Sequence, residues 1–171
     1  MLDFVNKSWA NTVTLFNIVF GSLSLVSTLH GDYQSAVIFI LLAVVMDGLD
    51  GRIARKLGII SEMGKELDSL CDLVSFGVAP AILLYAQVLY SFPYSLGLMA
   101  AVFYIMCGAF RLARFNVLNL SGYFVGIPIT LAGAFLASIS WFAYDLPDYL
   151  IMATMVFFSV MMVSTLKIRK Y

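Results

Sequence analysis

A dense patch of charge inside an otherwise apolar chain sets the first constraint. Residues 47–72 read DGLDGRIARKLGIISEMGKELDSLCD and hold six of the ten acidic and four of the ten basic residues of a 171-residue sequence that is 62% hydrophobic. Charge so concentrated among apolar runs has to be compensated wherever the fold places it. Asp47 and Asp50 are three apart and Asp68 and Asp72 four apart, so on helices each pair projects from one face. Two facing helices then present four carboxylates to a shared point. These like charges repel and resist leaving water, so a stable site needs cations. Oxygen-rich ligation favours hard divalent ions such as Mg²⁺, Mn²⁺ or Ca²⁺, and four carboxylates suit two of them.

Gly51 directly follows the first pair and Gly64 stands four residues before Asp68, each a costly residue inside a helix. Their missing side chains leave room for a ligand or a closely packed helix. Arg55 lies one turn beyond Gly51 on nearly the same face, where a permanent cation borders the carboxylates and suits a phosphate. The expected substrate is anionic and phosphorylated.

Asp47, Asp50, Gly51, Ala54, Arg55, Gly64, Asp68 and Asp72 fit D-x2-D-G-x2-A-R-x8-G-x3-D-x3-D without a gap over 26 positions. This resembles the signature of the CDP-alcohol phosphotransferase (CDP-alcohol phosphatidyltransferase) family, integral membrane enzymes that move a phosphatidyl-type group from a CDP-linked lipid to an alcohol and release CMP. The resemblance implies metal ligation by Asp47, Asp50, Asp68 and Asp72, and CDP-lipid contacts at Gly51, Arg55 and Gly64. It also implies a general-base role for Asp72 and a homodimer. The lipid is then CDP-diacylglycerol or a CDP-ether lipid; no nucleic acid is expected.

Composition agrees with a membrane enzyme. A mean hydropathy of +0.97 with only 12% charged residues is too apolar for a soluble domain, and several runs approach the roughly 20 residues needed to cross a bilayer. The expected architecture is all-α, a single membrane domain over residues 1–171 with six transmembrane helices near 12–29, 34–56, 62–90, 93–112, 126–144 and 147–166. Residues 1–10 are expected to lie at the membrane surface. No basic region followed by an apolar core and a small-residue cleavage site opens the chain, so no cleavable signal peptide is expected. Cys71 and Cys107 read as small buried side chains, and His30 as an exposed loop residue.

Asn11, Thr14 and Asn17 share one face of the first span. Capping and interhelical hydrogen bonds account for such groups. The family resemblance adds a place near a cytidine pocket for Asn11 and Thr14, while Asn17 reads as structural. Gly58 looks like a helix stop and Ser61 like an N-cap, so a short turn folds the two acidic segments together. Pro80 should kink the third span rather than end it, because a neighbouring helix can satisfy the freed carbonyl. The 30–33, 89–93 and 144–149 connections hold no Lys or Arg, whereas Lys7, the 52–65 turn, the 111–125 segment and the C-terminal tail hold all ten. By the positive-inside rule both termini and the polar site face the cytoplasm of a cell-membrane protein.

The fourth span ends in RLARFN, where Arg111, Arg114 and Asn116 stand in a segment otherwise free of charge. Positive-inside anchoring explains arginines there. FGVAPA, RLARFN and the later FVGIP together look like the serine-using branch of the family. L-serine carries a carboxylate that suits bidentate Arg, so Arg111, Arg114 and Asn116 become candidate acceptor-binding residues. None of the eight motif residues is Ser, Cys or His, so direct transfer is expected rather than a covalent intermediate. Glycerol phosphate and inositol or inositol phosphate are alternative acceptors. A divalent-cation or proton-coupled transporter is the alternative of another class, since intramembrane carboxylates often mark ion paths.

Overall fold

In the computed structural model the backbone is described for residues 2–57, 62–118, 123–165 and 167–169, and side chains for 14–49, 51, 62–117 and 126–165. Helix α1 (Leu2–Leu29) passes without a break through the segment expected to lie at the membrane surface, since no Gly or Pro interrupts residues 2–20. It ends where Gly31, at φ 75, turns the chain and Asp32 N–H returns to Ser27 O at 3.0 Å. Asp32 Oδ1 then accepts the Ser35 N–H at 3.1 Å and opens α2 (Tyr33–Leu57). Hydrogen bonds from the Ser35 side chain and backbone hold the Asp32 carboxyl below its ordinary value. His30 is exposed, its Nδ1 2.8 Å from Val26 O. Gly58 and Ser61 lie outside the described residues.

The third helical run shows how a proline is carried inside an apolar bundle. α3 (Glu62–Asp72) leads into a π-helical turn, Leu73–Val78, and then α4 (Ala79–Gln87). Pro80 has no N–H for the Phe76 carbonyl four residues back. Tyr104 Oη donates to that carbonyl at 3.0 Å, and the widened turn lets Ala79 N–H reach Val74 O instead. A Cβ on Gly133 would collide with Phe76 O, so the helix that carries residue 133 fits against this turn only because that residue is Gly. The kink expected at Pro80 therefore does not end the helix, which is continuous over Glu62–Gln87.

Two 3₁₀ turns, Leu89–Ser91 and Pro93–Ser95, lead to α5 (Leu96–Leu118), which runs six residues past the expected end near Leu112. RLARFN is thus helical rather than a boundary, because it contains no breaker. α6 (Ile129–Ser140) is shorter than the expected 126–144 span, with turns following through Asp145. α7 is Asp148–Val163. Three-residue strands β1 (Tyr123–Val125) and β2 (Lys167–Arg169) pair antiparallel, Phe124 opposite Ile168. This ribbon departs from the expected all-α architecture, since runs so short carry no alternation that the sequence could announce.

Glu62–Gln87 and Pro93–Val117 are long and apolar enough to cross a membrane; Thr14–Leu29, Tyr33–Leu49, Ile129–Ser140 and Asp148–Val163 are shorter apolar helices. Large apolar side chains cover the outside of the bundle as well as its core, and polar ones are buried among them. Phe16, Val19, Leu23 and Val26 line the outside of α1, and Met99, Met106 and Phe110 the outside of α5. Thr14, Asn17, Ser24, Thr28, Asp72, Ser75, Gln87, Arg111, Ser140 and Ser159 are buried. The helices meet through small residues, including Ala36, Ala43, Ala79, Ala101, Ala132 and Ala137, as helices in lipid do. Cys71 and Cys107 are buried free thiols. The protein is helical and membrane-associated.

Candidate active site

Helical period alone aligns Asp68 with Asp72 on α3, and the fold adds Asp47 from α2. Carboxylate oxygens of the three lie within 4.8 Å of one another. Asp72 is buried and the other two are half-buried. Thr130 Oγ1 of α6 donates to Asp47 Oδ2 at 3.3 Å, and Asn17 Nδ2 of α1 donates to Asp72 Oδ1 at 3.2 Å. Asp47 and Asp72 present oxygens within 4.8 Å of one another, close enough to share a cation. At such separations two unit charges repel by on the order of 3 kcal/mol for an effective dielectric near 20. Three hard oxygen donors on rigid helices match the coordination chemistry of a divalent cation. The residues present therefore fit a metal.

The first helix is held against this cluster from behind. Ser75 Oγ, in the π-helical turn, donates to the Asn17 backbone carbonyl at 3.1 Å. Gly21, one turn along α1, allows that approach, because a Cβ there would collide with Ser75 Oγ. Asn17 is fully buried, and its Oδ1 meets no donor among the described residues.

Arg111 brings the opposite charge. It is 8% exposed, within Coulomb range of Asp72 and Arg114, and its Nε is buried without a described partner. Arg114 instead donates from Nη1 to Val163 O at 2.9 Å and from Nη2 to Ser164 O at 3.2 Å, closing the C-terminus of α7. Asn116 ties α5 to α3: its Nδ2 donates to Ser69 Oγ at 3.0 Å, and Lys65 Nζ donates to its carbonyl at 3.0 Å. The three residues share a helix, and Arg111 is within Coulomb range of Asp72.

Thr14 is buried one turn before Asn17, and Gly51 and Gly64 are half-buried, each engaged with neighbouring groups. The side chains of Asn11, Asp50 and Arg55 lie outside the described residues. Two contacts to the carboxylates were not foreseen from sequence. Asn17 had a signal, since it continues the polar face of Asn11 and Thr14. Thr130 had none: a single Thr at the start of an apolar helix reads as an ordinary helix-opening residue.

With this geometry in hand, comparisons with known proteins are informative. Residues 7–166 match the CDP-alcohol phosphatidyltransferase family. Over 134 residues the chain is 42% identical to the CDP-diacylglycerol–serine O-phosphatidyltransferase of Bacillus subtilis (strain 168), covering 78% of this chain and 75% of that protein. Over 160 residues it is 41% identical to the Methanocaldococcus jannaschii protein of the same name, covering 93% and 72%. It is 39% identical over 160 residues to the archaetidylserine synthase of Methanothermobacter thermautotrophicus, covering 91% and 66%. A match that takes in both acidic helices, the buried Arg111 and nearly all of the apolar bundle places this chain in the CDP-alcohol phosphatidyltransferase family.

Proposed function

We propose that the protein transfers a phosphatidyl-type group from a CDP-linked lipid to the hydroxyl of L-serine and releases CMP. The observation that carries the reading is the juxtaposition of three carboxylates within 4.8 Å with a buried Arg111 in Coulomb range of Asp72. It is supported by relatives named as serine phosphatidyltransferases and as an archaetidylserine synthase. Asp47, Asp68 and Asp72, with Asp50 completing the set, would hold one or two divalent cations, whose chemistry there is to neutralise the pyrophosphate and the departing CMP.

The chain's own residues do the rest. Asp72 takes the proton of the serine hydroxyl as that oxygen bonds to the lipid-side phosphorus. The phosphoanhydride bond breaks in line, and its electron pair leaves with CMP. Asn17 aims Asp72 and Thr130 aims Asp47, so both carboxylates are oriented before substrate arrives. Arg111 meets the serine carboxylate with two parallel N–H donors. Arg114 and Asn116 serve the acceptor side by anchoring α5 to α7 and α3. Asn11, Thr14, Gly51, Arg55 and Gly64 form the CDP-lipid side of the pocket.

Six spans with both termini and the site on the cytoplasmic face follow from the one-sided distribution of all ten cations, and two copies assemble as a homodimer, as the family resemblance implies. The test is CMP release by purified protein from CDP-diacylglycerol in lipid nanodiscs, with serine, glycerol phosphate or inositol, with and without chelator. Release is expected with serine and divalent metal together. Turnover of glycerol phosphate but not serine would overturn the reading.

A further inference from the structure

We infer that Asn17 is a specificity-determining residue, its Oδ1 accepting a hydrogen bond from the ammonium group of the acceptor. The inference rests on serine being that acceptor. Serine carries three recognition groups: a hydroxyl that reacts, a carboxylate that suits Arg111, and an ammonium to which the reading above gives no partner. An ammonium brought out of water must regain acceptors, and one left unpaired opposes binding strongly.

Asn17 has the required acceptor in the required place. It is fully buried on α1, its Nδ2 is committed to Asp72 Oδ1 at 3.2 Å, and its Oδ1 has no described donor. Oδ1 and Nδ2 of Asn17 are bonded to the same carbon, so with Nδ2 3.2 Å from Asp72 Oδ1 the Asn17 oxygen lies within a few ångström of the Asp72 carboxylate. In serine the amine and the hydroxyl sit on adjacent carbons, a matching short separation. A substrate whose hydroxyl reaches the Asp72 carboxylate thus brings its ammonium to the Asn17 amide oxygen. The amide is oriented by its Nδ2 bond to Asp72 Oδ1 at 3.2 Å, and its backbone is fixed where Ser75 Oγ donates to the Asn17 main-chain carbonyl at 3.1 Å beside Gly21. A buried acceptor held so firmly favours an amine-bearing alcohol over one without an amine, since the latter would bury the Asn17 oxygen unsatisfied.

The test compares L-serine with 3-hydroxypropanoate, which is serine without its amine, as acceptors for CMP release from CDP-diacylglycerol. Wild-type protein is expected to favour serine at least fiftyfold in kcat/KM. Asn17→Leu should raise the KM for serine at least tenfold, leave the KM for CDP-diacylglycerol within twofold, and narrow the preference at least tenfold. Asn17→Asp keeps an acceptor of the same shape but gives up the donor to Asp72 and adds a charge, so it should retain the preference at a lower kcat on both acceptors, and it covers the case in which the leucine variant does not fold. Mn²⁺ affinity, read by electron paramagnetic resonance, should fall less in Asn17→Leu than its kcat/KM for serine.

Equal losses on both acceptors in Asn17→Leu, or a fall in Mn²⁺ affinity matching the fall in activity, would overturn the proposal and assign Asn17 to Asp72 or to the metal alone. Equal use of the two acceptors by wild-type protein would overturn it without any variant. Absence of CMP release with serine in the wild type, with release from glycerol phosphate, would identify the acceptor reading as the point of failure and remove the inference with it.

Discussion

Both ends of the bundle bury polar side chains, and they do so in opposite ways. Gln87 lies 15 residues beyond Asp72, about 22 Å along a helix of ordinary rise, and closes on Ser140 as a neutral pair. Gln87 Nε2 donates to Ser140 O at 3.0 Å and Ser140 Oγ donates to Gln87 Oε1 at 2.5 Å. Nearby, Tyr33 Oη donates to Ala86 O at 3.2 Å. At the carboxylate end three acids crowd within 4.8 Å, while an Asn oxygen and an Arg nitrogen are buried with no described partner. A closed neutral pair contributes roughly 1 kcal/mol per hydrogen bond and asks for nothing further, whereas crowded like charges need an external partner. Polar burial joins helices at the first end, and at the second it leaves groups that the proposed substrates and metal would satisfy.

If that contrast is right, substitutions at the two ends should trade activity against stability in opposite senses. The largest effect belongs to Asp68→Asn, expected to lower metal-dependent CMP release by about a thousandfold, the scale of removing a preorganised electrostatic contact. Without metal the same variant should unfold at an equal or higher temperature than wild type, because one repulsive charge is gone. A variant that loses both activity and metal-free stability would break the contrast, and scanning fluorimetry in chelator beside the CMP assay reads both quantities.

The middle-sized effect lies at the far end. Gln87→Leu strands the Ser140 hydroxyl and carbonyl and should cost about 1–3 kcal/mol of stability, with kcat/KM within twofold of wild type. Adding Ser140→Ala should restore part of that loss, since removing both partners is cheaper than removing one. Denaturant unfolding of the single and double variants measures it; a change in turnover without a change in stability would show that the far end communicates with the site.

The smallest effect concerns Asp32, the exposed acid at that same end. Its folded pKa is lowered by the Ser35 side chain and N–H, so the charged form is favoured in the native state. The associated stability is present above the unfolded carboxylate value of about 3.9 and is lost as pH falls through the lower folded value. The difference in unfolding between wild type and Asp32→Ala should thus be visible at neutral pH and shrink in acid. A difference that persists unchanged in acid would mean that the cap acts without its charge.

The acidic motif was the most legible part of this chain, because its information is local. Three- and four-residue spacings put Asp47 with Asp50 and Asp68 with Asp72 on single helical faces in any helical fold. Pro80 was half legible. Its missing N–H required a donor from elsewhere, yet nothing near it in sequence names Tyr104, 24 residues on, as that donor. RLARFN was read as a boundary because charge follows an apolar run, but α5 continues through it, with Arg114 held by carbonyls of α7.

Composition and spacing determined that this is an apolar helical protein with a cluster of acids able to hold a divalent metal, since hydrophobic runs and helical period act over a few residues. Tertiary structure alone decided which polar groups serve the carboxylates. Asn17 reaches Asp72 across 55 positions and Thr130 reaches Asp47 across 83. Contacts at that separation leave no period or spacing in the chain; they exist only once lipid-facing and buried surfaces have sorted the helices around one another.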